Sequence, residues 1–348
     1  MNRYWDALAR ASDSYAEAEF TFQCPLPLQG VFTQRAGKLQ LAFEKKVRYP
    51  HLIRSSVNSG IVHILDHSYA FLLAAVPKTV KTIVTVHDLL PLREPDGLSE
   101  RAIARFRKRV EWVKAADRVL ADSIATQNDL IELIGLDPER IRVLPLGADS
   151  IWDDAGEKFQ VPVTGGFLLS IGGYMKRKNL EILPQVLEQV RGQHPSLSLI
   201  RAGGKLPDSL VDEFETRCGK GALIELGQVS DSHLAALYHA ATVTIIPSRY
   251  EGFGLPVLEA MARNCPVVCA NTTSLPEVGG DAALYFEVDD AHQAAAQILK
   301  ILANNSEELN TLKTTCAARA KQFTWEIHFS KLLEIYREVA AIPTSVRL

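Results

Sequence analysis

Short runs of branched apolar residues recur along the chain, each followed by a longer stretch whose apolar residues fall on one helical face. In the amino-terminal half the runs are IVHIL (61–65), TIVTVHDL (82–89) and RVLADS (118–123). In the other half they are FLLSIGG (167–173), LSLIRAGG (197–204), LIELGQV (223–229), VTIIPS (243–248) and PVVCA (266–270). Between them ERAIARFRKRVEWVKAAD (100–117), LEILPQVLEQVRGQH (180–194) and SHLAALYHA (232–240) read as helices. Apolar, β-branched strands alternating with helices predict an α/β protein with parallel sheets covered on both faces. EFTFQC (19–24) reads as an early strand and TWEIHFSKLLEIYREVAA (324–341) as a last helix. The polar, strandless stretch 146–166 separates the halves. It predicts one domain over 1–156 and a second over 157–322.

Composition narrows the class. A chain of 348 residues exceeds the roughly 250–300 at which single cores stop growing, which agrees with two domains. With 47% hydrophobic and 23% charged residues the chain is globular rather than disordered. A net charge of −3 speaks against a nucleic-acid binder. No apolar run approaches the roughly 20 residues of a membrane span. The five cysteines are few, odd in number and scattered, the pattern of reduced thiols in a cytoplasmic protein. Cys265 and Cys269 sit in a strand pattern, CPVVCA, with no His or Cys pair nearby to complete a zinc site. Charge is uneven, however. Residues 31–118 carry 16 Lys/Arg against 8 Asp/Glu, and Arg101, Arg105, Arg107, Lys108, Arg109 and Lys114 crowd one helix. That helix is either an ordinary solvated face or a docking surface for an anionic membrane, where each basic residue contributes roughly 1 kcal/mol.

The chemistry concentrates in PSRYEGFGLPVLEAMA (247–262). A strand ends, a loop with Gly252 and Gly254 follows, and Pro256 opens a helix where proline is tolerated. In such a turn free backbone N–H groups and the helix dipole receive an anion, typically phosphate. Glu251 in the loop and Glu259 in the helix are placed to accept hydrogen bonds from sugar hydroxyls. FLLSIGGYMKRKNLEIL (167–183) is a second strand, glycine pair and helix start, with Lys176, Arg177 and Lys178 crowding the turn. Ligands of open α/β sheets bind at the carboxyl ends of the strands. One basic and one acidic loop at that end suit a nucleoside diphosphate sugar. Cations at a helix start also oppose its dipole, so they need a compensating anion.

These motifs, in order, resemble glycosyltransferase family 4. EGFGLPVLEAMA carries the E-x7-E spacing from Glu251 to Glu259, and RKN (177–179) resembles the diphosphate-binding basic motif. TVHDLLPL (85–92), ADS (121–123), VLPLGAD (143–149), TSLPEVGGDAALYF (273–286) and TWEIHFSKLLEIY (324–336) resemble further landmarks. The resemblance implies the GT-B architecture, two Rossmann-like doubly wound domains facing across a cleft, with residues 323–348 crossing back onto the first. It implies retaining, metal-independent transfer from a GDP- or UDP-linked sugar, with no cofactor. Glu259 would bind the ribose, Glu251 would lie by the donor sugar, and Gly252, Phe253, Gly254 and Leu255 would support sugar and phosphate. Lys178, helped by Arg177, would stabilise the leaving diphosphate. His87 would meet the transferred sugar; Asp88 beside it is structural, and His63 and His67 are candidates for the acceptor side. The motifs slightly favour a mannosyltransferase-like enzyme acting on a lipid-linked or oligosaccharide acceptor in surface polysaccharide synthesis. Such an enzyme would be cytoplasmic, with the inner membrane face as a second location.

Two departures from the family pattern stand out. The chain starts at MNRYWDALARAS, in what reads as the first helix, so the first strand and its glycine loop are expected to be missing; either the start lies further upstream or neighbouring strands close the gap this would leave. Gly173 stands where many relatives have arginine, a loss Arg177 would offset. Two other classes remain open: a non-catalytic nucleotide-sugar-binding relative, and a nucleotide-sugar epimerase on the same fold.

Overall fold

The computed structural model describes residues 4, 7, 8, 47–148, 161–163 and 165–342. The strand expected at 19–24 and most of the polar stretch between the halves lie outside these residues. The chain divides into two compact units, Met1–Pro145 with Trp325–Leu348, and Leu146–Thr324.

In the first unit four parallel strands stand in the order β1 (Ile61–Ile64), β2 (Lys81–Val86), β3 (Arg118–Ala121) and β4 (Ile141–Val143). Every residue of β2 is buried, which explains why TIVTV carries no polar alternation. No gap separates the described strands. Each pairs directly with the next in sequence, as in Ile61 with Lys81, Ile83 with Arg118 and Val119 with Ile141. A consecutive order of this kind takes any earlier strand at its edge, so no pair need be split. The basic helix runs over Glu100–Val110, capped by the Ser99 hydroxyl on the Ala102 N–H, and tightens into a 3-10 turn over Glu111–Ala115. It is therefore shorter than the expected 100–117. Its Arg101, Arg105, Arg107, Lys108 and Arg109 are exposed. The last helix, Trp325–Ala341, buries Phe329, Leu332, Leu333 and Val339 along one face. Its His328 Nδ1–H donates to the Pro145 carbonyl at 2.8 Å, fastening it to this unit.

The second unit holds six parallel strands in the order β10-β9-β8-β5-β6-β7. They are β5 (Phe167–Ile171), β6 (Ser198–Ala202), β7 (Leu223–Glu225), β8 (Val243–Ile246), β9 (Val267–Ala270) and β10 (Ala283–Phe286). The chain builds outward from β5 in one direction, then returns to β8 on its other side and continues the opposite way. Central β5 and β8 pair through Leu168 with Val243 and Leu169 with Thr244. β5 leads on to β6 and β8 to β9, in opposite directions, so the strand order reverses at this pair. β4 and β10, at 3 and 4 residues, were not foreseen as strands. Cys269 is buried in β9, and the Cys265 thiol lies 3.2 Å from the Thr244 hydroxyl; both are core residues.

Next to β5 lies a fully buried Arg201 on β6. Its guanidinium donates to the Gly172 carbonyl at 2.8 Å, the Gly204 carbonyl at 3.3 Å and the Ser170 hydroxyl at 3.3 Å. Gly203 has φ +136, and a Cβ there would overlap the Gly172 carbonyl, so only glycine lets the two glycine loops meet.

Candidate functional site

The loops that follow β5 and β8 meet in a buried ion cluster. After β5 the chain forms a single 3-10 turn over Lys176–Lys178 and reverses through Asn179, whose φ of 53 is left-handed. After β8 it runs through Ser248–Gly254 into the helix Leu255–Ala262. The Arg249 N–H donates to the Arg177 carbonyl at 2.7 Å, joining the loops by their backbones. Glu251, only 7% exposed, then accepts from both cations: Lys178 Nζ lies 2.5 Å from Oε1 and Arg177 Nη1 2.8 Å from Oε2. The Ser248 hydroxyl adds a hydrogen bond to Oε1 at 2.7 Å. Burial alone would raise the pKa of Glu251. Lys178 and Arg177 beside it, with the hydrogen bonds from Lys178 and Ser248, hold it below the usual carboxylate range instead.

This arrangement supplies the compensating anion that the crowded cations require, from within the protein. The sequence suggested two carboxylates flanking an anion site. The structure puts one of them, Glu251, directly on the cations. The second, Glu259, is part-buried in the following helix and accepts from the Tyr238 hydroxyl at 2.9 Å. Gly254 starts that helix with φ 98, and a Cβ there would lie 3.0 Å from Leu275, so the glycine is dictated by both conformation and space. Gly252 and Leu255 are part-exposed in the turn, and Phe253 is buried with its ring 6.0 Å from that of Phe323. A Cβ added at Gly173 would point into open space. Three buried polar atoms at this turn have no hydrogen-bond partner: Nε of Arg177 and both amide atoms of Asn179. Unsatisfied buried groups cost about 1–3 kcal/mol each and call for an explanation.

The first unit carries a separate histidine cluster. His87, just after β2, has Nδ1 2.7 Å from the Asp122 carboxylate and Nε2 2.9 Å from the Leu65 carbonyl. Both partners are acceptors, so both ring nitrogens donate and the ring is an imidazolium. Burial would lower its pKa, but Asp122 outweighs that and raises it to about 9. The Tyr4 ring stands edge-on to His87 at 5.5 Å and also touches Trp325 and His328. His63 is held by Tyr336 and Thr85, each at 2.8 Å, and burial lowers it to about 3. Its contacts make it part of the framework rather than a group open to an acceptor. His67 is buried against Phe106, and the Asp88 carboxylate accepts from the Leu90 N–H, a structural contact. Sequence reasoning missed Asp122, Ser248, Tyr238 and Arg201. Asp122 did lie in the quoted ADS landmark, but nothing in its sequence pairs it with His87.

Two parallel sheets, the second with Lys178, Arg177 and Glu251 clustered between glycine-rich loops at its switch point, define a two-unit Rossmann-like protein. The family description "Glycosyltransferase Family 4" matches residues 8–150, and "Glycosyl transferases group 1" matches residues 153–321. The O-antigen chain mannosyltransferase B of Escherichia coli is 33% identical over 272 residues, covering 74% of this chain and 70% of that protein. A D-inositol 3-phosphate glycosyltransferase of Acidothermus cellulolyticus is 26% identical over 284 residues, 75% of this chain and 63% of its own length. Among solved structures, a sucrose-phosphate synthase from Thermosynechococcus elongatus superimposes with a TM-score of 0.69 at 24% identity, covering 86% of this chain and 76% of that one. The chain belongs to glycosyltransferase family 4, and its fold is GT-B.

The histidines set a pH dependence. His87 is raised from 6.5 to about 9, so the stability its pairing contributes is complete below about 6.5 and lost as pH climbs through about 9. His63 and His328 are lowered from 6.5 to about 3 and about 4, so their contribution is complete above about 6.5 and lost as pH falls toward those values. Thermal melting across pH should therefore show these three groups favouring a maximum near about pH 6.5. Imidazole NMR should find one ring titrating near 9, and Asp122→Asn should lower that midpoint markedly; an unmoved midpoint would refute the pairing.

Proposed function

We propose that the protein transfers a hexose, with mannose favoured by the E. coli relative, from a GDP- or UDP-linked donor to a lipid-linked or oligosaccharide acceptor, with retention at the anomeric carbon. The observation that carries this reading is the pairing of Lys178 and Arg177 with Glu251 at the switch point of the second sheet. Two cations from one strand end and a carboxylate from its neighbour suit a diphosphate and a sugar hydroxyl held side by side. The Nε of Arg177, buried and without a partner, lies on the same guanidinium that pairs with Glu251.

In this reading Lys178 and Arg177 take the charge that develops on the leaving diphosphate, the work a divalent metal does in other folds. Glu251 receives a hydroxyl of the donor sugar, and Glu259 the ribose. The Gly252, Phe253, Gly254 and Leu255 backbone, at the start of the helix Leu255–Ala262, supports phosphate and sugar. His87 is assigned to the transferred sugar by the resemblance. Its own surroundings add that it is a cation, suited to stabilising negative charge and unable to act as a base while so paired. No cofactor enters this scheme. The exposed basic helix Glu100–Val110 is assigned to an anionic membrane surface, where a lipid-linked acceptor would be met. No helix among the described residues is long and apolar enough to cross a membrane.

Nucleotide release and product mass, measured over a panel of GDP- and UDP-sugars with membrane extract as acceptor, test the reaction. Release with one donor and an axial-to-axial product is expected, and Glu251→Gln should lower turnover by roughly 10²–10³. Interconversion of the donor without nucleotide release would establish an epimerase, and nucleotide binding without turnover a non-catalytic relative. For the basic helix, sedimentation with anionic vesicles should show binding that fades with salt; salt-insensitive or absent binding would remove that assignment.

A further inference from the structure

The turn after β9, Thr272–Ser274, breaks two local rules at consecutive residues. Thr273 has φ 46, a left-handed conformation that a β-branched residue rarely adopts. Ser274 stands at the N-cap of the helix Leu275–Gly279, the position at which serine normally caps, yet its side chain makes no cap hydrogen bond. Both side chains are turned to one target. The Thr273 hydroxyl accepts from the Glu251 N–H at 3.1 Å, and the Ser274 hydroxyl donates to the Glu251 carbonyl at 2.9 Å. Thr272 adds a bond from its hydroxyl to the Arg249 carbonyl at 3.1 Å, two residues upstream. Ser274 is fully buried, so this is an interior fixture and not a surface coincidence.

We propose that Thr273 and Ser274 are positioning residues that clamp both peptide groups of Glu251, the protein accepting a strained backbone and an uncapped helix to fix that carboxylate over Lys178 and Arg177. Left to local preference, residue 273 would be glycine or asparagine and Ser274 would cap its own helix. The observed geometry gives up both, and the two hydroxyls meet the N–H and C=O of a single residue. Two glycines in Gly252–Gly254 restrain the backbone little, and a restraint on Glu251 comes from the neighbouring strand end. Local rules given up together at one place mark a functional demand. Its significance for catalysis rests on the glycosyl-transfer reading above; the clamp itself does not.

The test uses the full chain with Thr273→Gly, which removes the strain and the hydroxyl together, and Thr273→Ser, which keeps the hydroxyl. Thermal melting and the titration of the Glu251 carboxyl by NMR are measured alongside nucleotide release. Thr273→Gly is expected to melt no lower than the parent, while its Glu251 midpoint moves up toward the ordinary carboxylate value and turnover falls at least ten-fold. Thr273→Ser should recover the low midpoint and most of the turnover. An unmoved Glu251 midpoint in Thr273→Gly overturns the clamp whether or not the chain turns over. A large drop in melting temperature that Thr273→Ser does not repair also overturns it, since an ordinary structural role behaves that way. A parent protein that releases no nucleotide from any donor would count against the transfer reading alone, because the carboxyl titration still decides the clamp.

Discussion

Two cations and one carboxylate, clustered where the strand order of the second sheet reverses, are the constraint around which the rest of that unit is arranged. A buried charge without a partner costs several kcal/mol, so Lys178, Arg177 and Glu251 are stable there only as a set. The cations come from the turn after β5 and the carboxylate from the loop after β8, so the set ties β5 to β8. The glycines follow from it. Gly172 and Gly203 let their loops meet closely above Arg201, and Gly254 lets the chain enter the helix beside Leu275. The hydroxyls of Ser248, Thr273 and Ser274 complete the fixture around Glu251.

The histidines of the first unit show the same physics with two outcomes. His63 and His328 are enclosed with neutral partners and are pushed toward the uncharged form. His87, just after the neighbouring strand β2, has the Asp122 carboxylate against it and is pushed the other way. Placement beside a carboxylate thus separates a charged histidine from two framework ones.

Much of this was legible in the sequence because parallel strands are buried on both faces and read as unbroken apolar runs. The eight runs that stand out all form strands. IRV (141–143) and ALYF (283–286) were missed, being too short to rise above their surroundings. The Gly-loop-to-helix turn at 252–256 was legible because glycine and proline each have a specific backbone reason to be there. The contact between Glu251 and the cations was not, although the crowding of Lys176–Lys178 at a helix start signalled that an anion was needed. A pairing across 73 residues is set by sheet order, which periodicity does not carry. Asp122 and the two hydroxyls on Glu251 were hidden for the same reason, and the left-handed Thr273 runs against any propensity rule.

If Glu251 is the internal counter-ion of the diphosphate-binding cations, its charge opposes the binding of a free nucleoside diphosphate. Calorimetric affinities of GDP and UDP for the parent and for Glu251→Gln measure this directly. Binding about ten-fold tighter in the variant, about 1.4 kcal/mol, is expected, because the amide leaves Lys178 and Arg177 with unspent charge. Equal or weaker binding would contradict the central role given to this ion cluster.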